Sequence, residues 1–176
     1  GYGGLRFDEG TWEALEKVAA GEDLPTCELQ RLLEPVLDAL PDDGIGLRAS
    51  QGVTIADYGA FGHALLSSSN LRALHTFVGA YRKVLRAIYD IECVYGADAF
   101  AFSIKDIRVS GKTQRYFSEC WLQTHFRFSR LLLDCARPFE EVSLAFPEPP
   151  YGEQYAQIFD CPVQFNAAQT GYRGAN

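Results

Sequence analysis

The sequence predicts an α+β fold: a single domain in which helices pack with a small, mostly antiparallel sheet, ending in a β-α-β unit. Three observations predict it. Apolar residues recur at helical spacing through the first half of the chain and again over 113–136. Two alternating runs, "AIYDIECVY" and "AFAFSIKDIRV", flank "GAD", a hairpin signal containing glycine. The stretch "VSLAFPEPPYGEQYAQIFDCPVQF", residues 142–165, reads as strand, proline corner, short helix and strand. Its alternation of Val142, Leu144 and Phe146 stops at Pro147, and a second apolar run follows Cys161-Pro162.

Residues 1–25 form a poorly assigned segment; its weak helical pattern, "WEALEKVAA" (12–20), is broken by Gly21 and Pro25. The main domain is expected over 26–176. From Thr26, the residues Leu29, Leu32, Leu33, Val36, Leu37 and Leu40 fall at helical spacing until "PDDG". Pro35 sits inside that pattern, so the helix either kinks there or restarts with Pro35 in its first turn. "DYGAFGHALLS" (57–67) follows a cap at Asp57, with Tyr58, Phe61 and Leu65 on one face. Gly59 and Gly62 cost that helix roughly 1 kcal/mol each relative to alanine. Close approach of another backbone, or of a ligand, is the expected compensation. "SSSN" supplies caps for a helix over 70–87, where Leu71, Leu74, Val78, Tyr81, Leu85 and Ile88 form the inner stripe. Arg72, Thr76, Lys83 and Arg86 lie away from it. In the second strand Phe100, Phe102 and Ile104 point one way. The longest helix, 113–136, shows a polar face of Glu119, Gln123, Arg127, Arg130 and Asp134. Its apolar side carries Phe117, Trp121, Phe128, Leu131, Leu132 and Cys135, and Pro138 ends it.

Composition narrows the function. The net charge is −7, the hydrophobic fraction 47% and the charged fraction 22%. An acidic surface without a basic block suits a polyphosphate backbone poorly, so this stretch is not expected to bind DNA or RNA by itself. No apolar run reaches the roughly 18 residues of a membrane span, and no charged-apolar-small leader appears. Cys27, Cys93, Cys120, Cys135 and Cys161 are odd in number, scattered and without a C-x-x-C pair. That pattern fits reduced structural thiols in the cytoplasm better than disulfides or a zinc site. Methionine is absent even at position 1, and the ends "GYGG" and "GYRGAN" suggest a piece of a longer protein.

Catalytic motifs are lacking: there is no P-loop, no dinucleotide-binding glycine fingerprint, no H-E-x-x-H and no nucleophile elbow. His63, His75 and His125 stand too far apart for a local metal motif, so no catalytic residue, metal or cofactor is expected. His125 is the one titratable side chain that breaks an apolar stripe. It is either a core histidine bonded to a neighbour or a contact lining a pocket. Trp121 beside it is a core residue or a stacking plate.

The stretch "DYGAFGHALLSSSNLRALHTFVGAYRKVL" resembles a region of the amino-terminal effector domains of AraC/XylS-type transcription regulators. The family's glycine pair falls on Gly59 and Gly62, its apolar run on Ala64, Leu65 and Leu66, and its serine corner on Ser67 and Ser68. "GIGLRAS" (44–50) is similar to the segment just upstream. The 142–165 stretch is similar to the family's second signature, through Phe146, Pro149, Tyr155, Ile158, Phe159, Pro162, Val163 and Phe165. The resemblance covers roughly residues 26–170. Pro35 and Gly79 depart from it, and the helix-turn-helix pair of that family does not follow the last strand within these residues.

The resemblance implies a non-enzymatic, bacterial, cytoplasmic regulator that binds a small organic effector, forms a homodimer, and contacts DNA only through the absent helix-turn-helix module. The alternative is a dimerisation or protein-interaction module without a small-molecule ligand. A small enzyme or haem sensor using His125 or a cysteine finds the least support. For an effector domain, the expected pocket lies between the helices 113–136, 70–87 and the Gly59/Gly62 helix. Phe61 and Trp121 are its expected apolar walls, and Tyr81 and His125 its hydrogen-bonding groups.

Overall fold

The computed structural model describes residues 9–20, 24–81 and 88–175. Helix α1 (Glu9–Ala19) packs on α2 (Thr26–Ala39), where Arg31 donates to the Gly10 carbonyl at 3.3 Å. Pro35 stands inside α2, and the helix is assigned continuously through it. A left-handed Gly44 opens the short α3 (Ile45–Ala49), and a 3-10 turn at Ser50–Gly52 follows. A second 3-10 turn, Ile55–Tyr58, is closed by a capping box in which the Thr54 N–H and hydroxyl donate to Asp57. It runs into α4 (Gly59–Leu66), and α5 (Leu71–Tyr81) comes next. The expected continuation of that helix, with Lys83, Leu85 and Arg86, falls outside the described residues.

The glycine pair of α4 has a backbone explanation. A Cβ at Gly62 would overlap the Ile55 carbonyl oxygen, so the 3-10 turn and α4 touch main chain to main chain. Gly59 adopts φ 54°, a conformation that side chains disfavour.

The sheet has the order β1-β2-β5-β3-β4. The hairpin of β1 (Tyr89–Tyr95) and β2 (Ala99–Ile107) turns at residues 96–98, where the Gly96 N–H donates to the Ala99 carbonyl. After α6 (Gly111–Leu133) come β3 (Glu141–Ser143), α7 (Glu153–Phe159) and β4 (Val163–Gln164). β3 and β4 pair in parallel, so the proline corner and α7 form a β-α-β crossover, as the 142–165 rhythm predicts. The chain then adds a strand the sequence reading did not assign. β5 (Gly171–Ala175) inserts antiparallel between β2 and β3 and joins the hairpin to the crossover.

The core lies between α6 and one face of the sheet. Phe100, Phe102 and Ile104 point into it together, with Val142 and Tyr172 from the neighbouring strands and Leu144 just past β3. Leu122 and Phe126 of α6 and Phe159 of α7 meet them, and Phe139 stacks on Tyr172 at 3.8 Å.

The polar face read from sequence on α6 needs correction. Glu119 is 1% exposed and Gln123 7%, while Leu131 is 65% exposed. The helix is covered by α2, α3 and the 3-10 turn on the side opposite the sheet. Glu119 finds its partners inside the protein rather than in water, while the Gln123 Oε1 has none among the described residues. Toward its end α6 leaves that cover, and Leu131 emerges. Among the described residues no helix is long and apolar enough to cross a membrane.

Candidate ligand site

A cavity of about 290 Å³ lies against α6. Tyr116, Phe117, Cys120, Trp121, Thr124, His125 and Phe128 of α6 form its longest wall. Ala49, Ser50 and Val53 close one side, Tyr58, Phe61 and Leu65 another, and Val78 of α5 with Tyr89 and Ile91 of β1 complete it. Arg127 fastens the Ser50–Val53 side from behind, donating to both carbonyls at 2.8 and 3.0 Å. Ring contacts connect the walls: Trp121 to His125 at 4.5 Å, Tyr58 to Phe128 at 5.7 Å, and Phe61 to Phe77 at 5.0 Å.

The polar groups inside are few and neutral. Burial pushes the Cys120 thiol up to about 12, the Tyr116 hydroxyl up to about 12, and Tyr58 and Tyr89 above their usual value. Among the described residues the Tyr58 and Tyr89 hydroxyls have no hydrogen-bond partner. No Asp, Glu, Lys or Arg belongs to the described lining.

His125 ends a buried hydrogen-bonded chain. Its Nδ1 meets the Tyr172 hydroxyl at 3.1 Å, and that hydroxyl meets His75 Nε2 at 3.4 Å. His75 Nδ1 in turn meets the Tyr95 hydroxyl at 2.7 Å and Cys93 Sγ at 3.4 Å. Both imidazoles stack on Phe102, at 5.2 Å for His125 and 4.5 Å for His75. Burial, with the nearby His75, pushes His125 down to about 3, and burial pushes His75 down to about 4. Both rings are therefore neutral near pH 7. Neutral imidazoles, hydroxyls and a thiol pushed up by burial, in a described lining without charge, are suited to binding a small molecule.

A second buried polar node supports the α3 side. Glu119 Oε1 accepts from the Tyr151 hydroxyl at 2.6 Å and from Tyr155, and its Oε2 accepts from the Gly46 N–H at 3.1 Å. Cys120 Sγ donates to the Gly46 carbonyl at 3.3 Å. A Cβ at residue 46 would collide with Glu119 and the Tyr116 carbonyl, so glycine lets α3 lie directly on α6.

Three of the four residues expected at a pocket, Phe61, Trp121 and His125, line this cavity together. Tyr81 does not. It is 49% exposed and stacks on Phe77 at 4.6 Å, on the outer side of α5. The reason is a rotation of α5: His75 and Val78 are its buried residues, which turns position 81 outward. Sequence reasoning missed His75, Tyr172, Tyr58 and Tyr89. His75 falls four residues after Leu71 and three before Val78, and that spacing was the available signal. The described residues contain no group of three or more His, Cys, Asp or Glu placed to hold a metal ion.

Known proteins share this architecture. A family model described as the arabinose-binding domain of AraC transcription regulators, N-terminal, matches residues 15–174. The ornithine utilization regulator of Pseudomonas aeruginosa is 24% identical over 124 residues, covering 70% of this chain and 37% of that protein. The crystal structure of transcriptional regulator CdpR from Pseudomonas aeruginosa matches with a TM-score of 0.65 at 20% identity. That match covers 97% of this chain and 56% of CdpR, and the likeness is one of fold. The match thus covers little more than a third of the curated relative's length.

Proposed function

This chain belongs to the family of N-terminal arabinose-binding domains of AraC transcription regulators, and on that premise we propose that a small organic effector occupies the cavity against α6 and thereby biases a DNA-binding module outside this stretch. The family is one of regulators, not enzymes, and the chain is a ligand-sensing regulatory domain within it. One observation carries the effector reading: an apolar hollow of about 290 Å³ with hydroxyls and an imidazole that lack full hydrogen bonding, inside a regulatory fold. To act as a sensor, the domain must bind its effector better in one conformation than in another. Tyr172 connects His125 to β5, so the cavity's polar tip is bonded to a central strand of the sheet. DNA contact falls to the module beyond this stretch, in keeping with the −7 charge here and the greater length of the relatives. Homodimerisation in the cytoplasm belongs to the same reading.

The test is thermal melting of the chain against fractionated bacterial metabolite extracts, for wild type and for Val78→Trp, which fills the cavity from α5. At least one fraction is expected to raise the wild-type midpoint by several degrees and to leave the variant unmoved. Equal shifts in both proteins, or none in either, would remove the effector reading. A second reading, an interaction module alone, draws on the exposed Leu66, Val94 and Leu131. Sedimentation showing a tight dimer in a protein that no fraction stabilises would favour it.

A further inference from the structure

The described lining has aromatic walls and no charged side chain, and beside Ser50, Tyr116, Cys120 and Thr124 it carries two polar points suited to a ligand. One is the His125 ring, whose Nε2 has no partner among the described residues. The other is the pair of unpartnered hydroxyls on Tyr58 and Tyr89. From this we propose that the effector is an uncharged, flat molecule of about a dozen heavy atoms, with one hydrogen-bonding group for His125 and another for Tyr58 and Tyr89. The inference rests on the cavity being the effector site.

The size follows from the volume. A dry apolar cavity of about 150 Å³ holds one benzene, and this cavity is nearly twice that, at about 290 Å³. A fused two-ring molecule fills it. The absence of charge follows from desolvation. A carboxylate or ammonium moved into an apolar hollow without a counter-charge loses several kcal/mol of hydration. The described walls offer no Arg, Lys, Asp or Glu to compensate, and an amino acid would need two such partners.

The third element is the bonded chain behind His125, which can run in two directions. In one, Tyr95 donates to His75 Nδ1, His75 Nε2–H donates to Tyr172, and Tyr172 donates to His125 Nδ1. His125 Nε2 then carries the hydrogen and serves as a donor. In the other, His125 Nδ1–H donates to Tyr172, Tyr172 to His75 Nε2, and His75 Nδ1–H to Tyr95. Nε2 is then an acceptor. Each order uses neutral groups only and leaves every bond in the chain made. The site can therefore meet either a carbonyl or a hydroxyl at this end of the ligand.

The experiment is isothermal titration of the chain with three probes at mildly acidic pH, where a hydroxycoumarin is uncharged. Umbelliferone has two fused rings, with a hydroxyl at one end and a lactone carbonyl at the other. Para-coumarate has a phenol of similar reach but a single ring and a carboxylate. L-ornithine is charged and has no ring. Umbelliferone is expected to bind saturably, para-coumarate about 100-fold more weakly, a difference of about 2.7 kcal/mol, and ornithine not at all. Val78→Trp should abolish umbelliferone binding. Tyr89→Phe removes only an unpartnered hydroxyl, so its melting temperature should hold while umbelliferone binding weakens several-fold. His125→Leu should weaken binding about tenfold. If para-coumarate binds as tightly as umbelliferone and Val78→Trp abolishes both, the cavity stands and the uncharged class is overturned. If umbelliferone binds and Val78→Trp does not affect it, the cavity assignment itself fails. Failure of all three probes to bind at millimolar concentration overturns the proposed size and polarity.

Discussion

Glu119 is the most heavily bonded buried acid in the described structure, and its replacement has a calculable cost. The carboxylate is 1% exposed and accepts from Tyr151, Tyr155 and the Gly46 N–H. Glu119→Ala leaves three donors without an acceptor, and a buried orphan costs about 1–3 kcal/mol. Tyr155 is fully buried, whereas Tyr151 at 8% exposure has some access to water. The expected loss is therefore about 3–5 kcal/mol, the range for breaking a buried charged network. That is a large part of the 5–15 kcal/mol stability typical of a domain. Glu119→Gln keeps one acceptor oxygen but sets an amide against the Gly46 N–H, and should cost less. Urea unfolding followed by far-ultraviolet circular dichroism measures both. A stricter arm compares Glu119→Leu alone with Glu119→Leu combined with Tyr151→Phe and Tyr155→Phe. Removing the stranded hydroxyls should recover part of the loss, because deleting both partners of a buried bond is nearly neutral. Burial lifts the Glu119 pKa above the usual carboxylate value; the tyrosines, Arg115 and the Gly46 N–H pull it back without cancelling the rise. A carboxyl whose pKa is higher folded than unfolded contributes stability that is complete below the unfolded value and lost as pH rises through the folded one. Glutamine does not titrate, so the deficit of Glu119→Gln relative to wild type should narrow from the usual carboxylate range toward neutral pH. An alanine cost under about 1 kcal/mol, or hydroxyl deletions that deepen the leucine variant's loss, would refute the reasoning.

Three further substitutions test the cavity and the elements around it. Gly62→Ala drives a methyl into the Ile55 carbonyl and should cost about 1–3 kcal/mol, whereas Gly79→Ala on α5 meets open space and should gain up to about 1 kcal/mol; opposite shifts in urea midpoint are the readout. Arg127→Met removes both bonds to the Ser50 and Val53 carbonyls and should cost about 1.5–3 kcal/mol, with faster hydrogen exchange across residues 50–54.

What the sequence showed and what it hid follow from the same physics. The hairpin and the 142–165 crossover were legible because period-two alternation ends at strong turn residues, "GAD" and the prolines. β5 was not legible, because "GYRGA" carries two glycines where a strand usually carries branched residues. The structure explains them: a Cβ at Gly171 would press on the Phe102 carbonyl, and one at Gly174 on the Phe100 ring. The stripe read on α5 holds at Leu71, Leu74 and Val78, which pack on the core, but it left out His75, which is 2% exposed and bonded through both ring nitrogens. Reading polar residues as solvated put Glu119 and Gln123 on an outer face of α6, where both are buried. Hydropathy patterning finds which residues avoid water; it does not find polar residues that are buried all the same, whether bonded inside the protein like Glu119 or, like the Gln123 Oε1, without a partner among the described residues. His125 was noticed because it interrupts an otherwise apolar stripe, and Trp121 and Phe61 because bulky rings at helical spacing face inward.

For occupancy of the cavity to be felt elsewhere, one of its walls must have two arrangements of similar energy. α6 is poorly suited to move. Glu119 ties it to α3 and to the residues around α7, Arg127 ties it to the Ser50–Val53 turn, and Leu122 and Phe126 lock it onto the sheet. Shifting it would break several buried bonds at once. The opposite wall is held differently. α4 has few buried side chains, and only Gly62 and Leu65 are fully enclosed. Its Phe61 packs on Phe77, and Phe77 on Tyr81 at the surface, through ring contacts that tolerate sliding better than hydrogen bonds do. Local opening follows the distribution of buried contacts. The α4–α5 side is thus where a ligand could redistribute structure at least cost, while α6 and the sheet would supply the fixed surface against it. Tyr81, outside the cavity, stands at the outer end of that ladder of rings.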